Sequence, residues 1–259
     1  MGKLIDKLEQ AARPAPRRLG FAIARDEGQA PSMILIVRLD NSSAKLIKST
    51  SESAHTVILQ VDQGDRKKTP VKDLAKLPEN FPWGLQAEAV QPEAMASLRE
   101  AGCDYLVFGI EDTPGRVLNE ENIGKVLSID MTLEEQLMRV LEEMPTDAIF
   151  IDSEPKTNFT VKVLMEYRSV IAYVSKPVLL LAPLDLSDAD LTALQNVGVI
   201  GLVVEPRTAD DMKKVTKLRK AIDSLPPRES GEKERVNTLL PHTAPGPTLA
   251  ESMPDEEGD

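Results

Sequence analysis

The chain has little of the chemistry that most enzyme sites draw on. It holds two histidines and one cysteine among 259 residues. A single thiol, Cys103, excludes an internal disulfide framework, and its place ahead of an apolar run suits a buried structural thiol better than a nucleophile. The histidines are His55, just before an apolar run, and His242, near the C-terminal end; they support neither a His-ligated zinc site nor an imidazole base. Aromatic residues make up 3%, too few for a platform that stacks single-stranded nucleic acid. No basic stripe stands out, the formal net charge is −11 and the pI about 4.9, so a phosphate backbone would be repelled. The plainest account of that acidity is solubility. No apolar run approaches the ~20 residues that a membrane-spanning helix needs. The opening MGKLIDKLEQAARPAPRRLG also lacks the continuous apolar stretch of a secretory signal. These absences predict a soluble chain in a reducing cytoplasm, with neither nucleic acid nor membrane as partner. The sequons NSS and NFT carry no meaning there.

What is present is a rhythm. Eight short apolar runs recur: MILIVRLD (33–40), TVILQVD (56–62), WGLQAEA (83–89), YLVFGIE (105–111), KVLSID (125–130), AIFIDSE (148–154), VLLLAPLD (178–185) and VIGLVVE (199–205). Most are near-continuous in Val, Ile and Leu, the pattern of parallel strands covered on both faces. Helix signals fill the gaps. QPEAMASLREAG has Pro92 near its start and Gly102 just past its end. MTLEEQLMRVLEEMP offers Thr132 and Glu135 as a capping box. LSDADLTALQNVG repeats the device with Ser187 and Asp190, and RTADDMKKVTKLRKAIDSL with Thr208 and Asp211. Val161, Leu164, Met165 and Ile171 fall on one helical face of TNFTVKVLMEYRSVIAYV. Segments 42–54 and 70–77 read as weaker helices.

Eight strands alternating with helices over about 200 residues predict a closed α/β architecture, a (β/α)8 TIM barrel. A doubly wound open sheet is the alternative. The count of eight, and the lack of a Gly-rich turn after the first strand, favour the barrel. Residues 1–32 then form a short N-terminal arm. Within it Met1, Leu4, Ile5 and Leu8 make one apolar helical face suited to docking, and GFAIA (20–24) is a further extended segment; the arm covers the barrel bottom or the first helix gap. The barrel runs over 33–225. Residues 226–259, rich in Pro and acid, read as a disordered acidic tail whose one apolar spot is VNTLLP.

Barrels of this kind carry their chemistry at the carboxyl ends of the strands. Each predicted strand here reaches an acid at or near its end: Asp40, Asp62, Glu88, Glu111, Asp130, Asp152 with Glu154, Asp185 and Glu205. Strand parity pairs Arg38 with Asp40, Gln60 with Asp62, Gln86 with Glu88 and Ser128 with Asp130 on one face. The opposite faces, Val37/Leu39, Leu59/Val61, Leu85/Ala87 and Leu127/Ile129, are apolar and suit helix packing. The upper barrel should thus be polar and mostly acidic, with Arg38 as internal counter-charge. Clustered carboxylates in a partly dry site take up protons or a cation. A hard divalent ion, Mg2+ or Mn2+, suits such oxygen ligands, with Glu88, Glu111, Asp130 and Asp152 as candidates. Arg38, Asp62, Gln86, Asp185 and Glu205 are candidates for holding a small-molecule ligand. Helix capping and loop solvation are the competing account of the acids. It is strong for Asp40, which leads into NSS, and weak for Asp130 and Asp185, because Thr132 and Ser187 already read as caps. No lysine falls inside a strand near the top, so Schiff-base chemistry has no carrier, and no catalytic residue is singled out. Acid–base work would fall to carboxylates or to Lys156, Arg116 or Arg207 in the top loops. The last two loops, APLDLSD and EPRTADD, lack glycine and carry acids, which argues against phosphate.

LREAGCDYLVFG, SKPVLLLAP and LQNVGVIGLVVE resemble the recurring texture of metabolic TIM barrels, both the phosphate-binding barrels and the metal-dependent aldolase/citrate-lyase-like barrels. The likeness spans 33–220. In the aldolase-like group a Glu and an Asp at strand ends hold a divalent metal, and Glu111 and Asp152 are the nearest matches. The Arg and His of such enzymes are not matched, and the whole chain resembles an uncharacterised bacterial barrel family more than one enzyme. Two functions follow as expectations: a metal-assisted lyase or aldolase-type enzyme, or a non-catalytic barrel that binds or scaffolds. Either is compatible with an oligomer.

Overall fold

Strands with Val, Ile and Leu at successive positions must be covered on both faces, and a closed sheet inside a ring of helices does this. The structure is a computed structural model that describes residues 2–14, 31–40, 43–61, 77–87 and 92–228. Its eight strands are β1 (Ile34–Leu39), β2 (Thr56–Val61), β3 (Trp83–Ala87), β4 (Tyr105–Phe108), β5 (Gly124–Ile129), β6 (Ala148–Ile151), β7 (Val178–Leu181) and β8 (Gly201–Val204). All neighbours are parallel and follow chain order, and β1 closes on β8 with Ile34 opposite Gly201 and Val37 opposite Val204. The chain is therefore a (β/α)8 barrel, not an open sheet. Among the described residues there are seven α-helices: α1 (Lys3–Ala12), α2 (Ile47–Ser53), α3 (Pro92–Glu100), α4 (Glu135–Val140), α5 (Val161–Ile171), α6 (Asp188–Val197) and α7 (Ala209–Asp223). The β4–β5 crossover carries a 3-10 turn, Gly115–Asn119, in place of an α-helix. None of the described helices is long and apolar enough to cross a membrane.

Strand parity sorts the core into two layers. Leu35, Val37, Leu39, Leu59, Leu85, Leu127 and Ile129 pack outward against the helices. Ile34, Ile36, Ile58, Tyr105, Val107, Val126, Phe150, Leu179 and Val203 fill the barrel interior. Tyr105 is fully buried there, its hydroxyl donating to the Val57 carbonyl at 2.9 Å. A Cβ at position 84 would lie 2.3 Å from the Tyr105 ring, so glycine is required beside it. The bottom of this interior is stoppered by α1, whose Leu4, Ile5, Leu8 and Ala11 are at most 2% exposed and join the inner layer. Asp104 accepts from the backbone N–H groups of Lys3 and Leu4 at 2.7 and 2.8 Å, holding the positive end of the helix. The N-terminal arm thus covers the barrel bottom through α1; residues 20–24, and all of the helix expected at 70–77 except Leu77, lie outside the described residues.

Three expectations change. α4 starts at Glu135 after Glu134, with no side-chain cap, so Thr132 and Glu135 make no capping box. Thr132 instead turns its N–H onto Asp130. On α5 the buried side chains are Tyr167 and Val170, while Val161 and Met165 are exposed. Leu164 and Ile171 do reach the core, because the covered stripe runs through 164, 167 and 171 rather than 161 and 165. The ordered bottom also extends past Leu225: Arg228 donates from Nε to Ala11 O at 3.1 Å and to Ser32 O at 3.0 Å. Its Nη1 reaches Gln195 O at 3.1 Å, and its Nη2 bonds the Val199 carbonyl.

Candidate functional site

Parity keeps working to the upper rim. Arg38 follows Ile36 on β1 and Asp152 follows Phe150 past β6, so both point into the barrel mouth. The Arg38 guanidinium is 7% exposed and lies over the Phe150 ring, 5.5 Å from its centroid. Its Nη1 bonds Asp152 Oδ2 at 2.6 Å and Gln86 Oε1 at 3.1 Å. Its Nε and Nη2 both lie 2.7 Å from Glu205 Oε1. Gln86 completes the ring by donating from Nε2 to Asp152 Oδ2 at 2.8 Å. Pairing of this kind offsets the cost of burying a cation. The network therefore consumes Arg38, both ends of the Gln86 amide and one oxygen of Asp152, and it carries one positive against two negative charges.

Beside it a cavity of ≈ 260 Å³ is lined by Gln60, Val61, Gln86, Ala87, Gly109, Ser128 and Asp152. The Gln60 amide and the Ser128 hydroxyl have no hydrogen-bond partner among the described residues, nor has Asp152 Oδ1. Three polar groups with unspent capacity thus share one small cavity at the carboxyl end of the strands. Two larger cavities, ≈ 500 and ≈ 550 Å³, open at the opposite end beside α1. Several of their polar groups are already engaged: Asp104 holds α1, Asp147 accepts from the Lys125 N–H at 2.7 Å, and Lys176 donates to the Leu141 and Glu142 carbonyls. The mouth is the better candidate on these grounds, although it is smaller.

The candidates from sequence separate clearly. Arg38, Gln86, Asp152 and Glu205 come together. Glu111 stands three residues beyond the end of β4 and is exposed. Asp185 stands four beyond β7 and pairs outward with Lys214 of α7 at 2.9 Å. Asp130 is exposed and accepts from the Thr132 N–H at 2.7 Å, which holds its carboxyl below the usual range. Asp130 therefore holds a local turn ahead of α4 rather than a helix cap. Asp40 also serves its own turn: its carboxylate accepts from the Ser43 N–H and hydroxyl, each at 2.8 Å. Asp62 and Glu88 lie outside the described residues. Among the described residues no three His, Cys, Asp or Glu side chains converge as a metal-holding group. Sequence reasoning placed Gln60 and Ser128 on the inner face without making them site residues. Their signal was present as polar residues in an otherwise apolar strand, two positions below an acid.

The last two loops bear on anions. Asp190 accepts from the Ser187 N–H and hydroxyl at 3.0 and 2.6 Å at the start of α6. Asp211 accepts from the N–H groups of Arg207 and Thr208, at 3.1 and 3.0 Å, at the start of α7. The Thr208 hydroxyl, then the Arg207 N–H, hold the Asp211 carboxyl below its usual range. Each helix N-terminus already holds an anion of its own chain.

The fold thus defines a (β/α)8 barrel, and solved structures agree. Thiamine phosphate pyrophosphorylase from Pyrococcus furiosus superposes with a TM-score of 0.55 at 16% identity, over 74% of this chain and 96% of that one. A chain of the tryptophan synthase complex from the same organism gives 0.55 at 15% identity, over 74% and 98%. At these identities the likeness is one of fold. No protein-family model matches the chain, and no curated protein does.

Proposed function

We propose that the chain is a small-molecule-binding barrel, whose upper mouth holds a small polar organic ligand without a metal ion or covalent chemistry. The observation that carries this reading is the cavity shared by Gln60, Ser128 and Asp152, with hydrogen-bonding capacity to spare beside a fully engaged Arg38 network. Its volume of ≈ 260 Å³ lies just below the ~300–1,000 Å³ of drug-sized pockets, so the ligand is small. Nucleophilic or proton-transfer chemistry has weak support: none of the residues lining the cavity is His, Lys or Cys, and its carboxylate is tied to Arg38. The enzymes named in the structural comparison lend the fold only. A lyase or aldolase-type role with Mg2+ or Mn2+ would have to recruit Asp152 together with Asp62 and Glu88, which directly follow β2 and β3 in sequence.

Thermal melting of the full chain decides between these. A binding barrel is expected to melt within about 1 °C of its starting temperature when 5 mM Mg2+ or Mn2+ is added, and to be stabilised by members of a panel of small polar metabolites. Asp152→Asn should abolish the ligand-induced rise. A rise of several degrees with either metal, lost in Asp152→Asn, would overturn the binding reading and establish the metal-dependent one.

A further inference from the structure

Resting on that binding role, we infer that the mouth recognises a primary ammonium group on a small organic amine. An ammonium presents three N–H donors and no acceptor. The cavity wall presents three uncommitted acceptors, Asp152 Oδ1, the Gln60 amide oxygen and the Ser128 hydroxyl oxygen. Charge points the same way. Arg38 neutralises only one of Asp152 and Glu205, so the network keeps one negative charge at the cavity edge. A cationic donor on the free Asp152 oxygen makes a charge-assisted bond, about twice as strong as a neutral one. An anionic ligand meets the opposite situation. The guanidinium that would attract it is spent on Asp152, Gln86 and Glu205, and Arg38 is not among the residues lining the cavity. The chain's net charge of −11 adds a field that concentrates cations and repels anions. A neutral polyol can satisfy the same acceptors but leaves the charge unmatched.

The test uses three probes of nearly equal size that differ in charge: ethanolamine, ethylene glycol and glycolate. Each is titrated at pH 7 into the full-length 15N-labelled protein while the side-chain amide resonances of Gln60 and Gln86 are followed. Ethanolamine is expected to shift both and to bind at least tenfold more tightly than ethylene glycol, with glycolate inert. Gln60→Met and Ser128→Ala, which leave the Arg38 network intact, should each weaken ethanolamine severalfold while leaving the melting temperature of the free protein nearly unchanged. Asp152→Asn should erase the preference of ethanolamine over the glycol. If ethylene glycol or glycolate moves these resonances at equal or lower concentration, the ammonium assignment is wrong and the binding barrel stands. An ethanolamine response that survives all three substitutions belongs to another surface and overturns the assignment. Silence from all three probes overturns the ammonium assignment, while the melting panel of polar metabolites decides the binding role separately.

Discussion

A single buried imidazole shows how much one side chain can couple this fold to pH. His55 sits at the foot of β2, with Nδ1 accepting the Leu35 N–H at 2.9 Å. The ring proton is therefore on Nε2, which has no partner among the described residues. Burial first, then the charges of Arg219 on α7 and Lys7 on α1, push its pKa from 6.5 down to about 3. The sign follows from linkage. Above pH 6.5 the ring is neutral in both states. Between pH 6.5 and about 3 the unfolded chain takes up a proton that the folded chain refuses, so stability falls as pH falls. The full shift corresponds to roughly 4–5 kcal/mol. His55→Asn keeps an acceptor for Leu35 but does not titrate. Urea unfolding at pH 7.5, 5.5 and 4.5 should show the variant losing less stability than the parent across this window, and parallel losses would remove His55 as the cause. Arg38 is the contrasting case. Its burial was legible only as a polar residue in an apolar strand, because its three partners come from β3 and from just beyond β6 and β8.

Among the elements, α1 does the most for its length. Its apolar face closes the inner core, Asp104 holds its N-terminus, and Arg228 holds the Ala11 carbonyl at its C-terminus. Both ends thus meet the charge their dipole favours. Arg228 has only carbonyl partners in the interactions described, and burial lowers its pKa to about 10, still leaving it charged at neutral pH. Leu8→Ala should cost about 2–5 kcal/mol in urea unfolding, the usual price of a fully buried leucine. Arg228→Met should speed amide hydrogen exchange in α1 and near Ser32, leaving the protection of β4–β6 unchanged; uniform loss of protection would show that Arg228 supports the whole barrel instead. The apolar stripe Leu4, Ile5, Leu8 was readable in the sequence as a docking face. That this face closes the barrel bottom, and not the first helix gap, was not, since the inner layer it joins is assembled from most of the strands. The capping boxes of α6 and α7 were equally readable, because a cap is a contact across three residues.

For the molecule as a whole, the two strands before closure bring α6 and α7 to the rim where barrels of this class often hold phosphate. Asp190 and Asp211 occupy those helix starts from within the chain. Melting in 10 mM phosphate should therefore match melting in chloride at the same ionic strength to within about 1 °C, and a phosphate-specific rise would show that the caps give way. Thr208→Ala should lower stability by about 1 kcal/mol.

The order of residues was sufficient for the eightfold count, the parallel closed sheet and the split of each strand into inner and outer faces, because hydrophobic periodicity and capping act over a few neighbours. It was insufficient at the strand ends. A ladder stops where its partners stop, and that depends on chains far away in sequence. Glu111 and Asp185 consequently lie in exposed loops, and Asp130 bonds its own turn. Only the closed barrel could bring Asp152 and Glu205 to one guanidinium, since Arg38 is 114 and 167 residues away from them along the chain. Of the described strand-end acids, Asp152 and Glu205 share one ion network beside a small polar cavity.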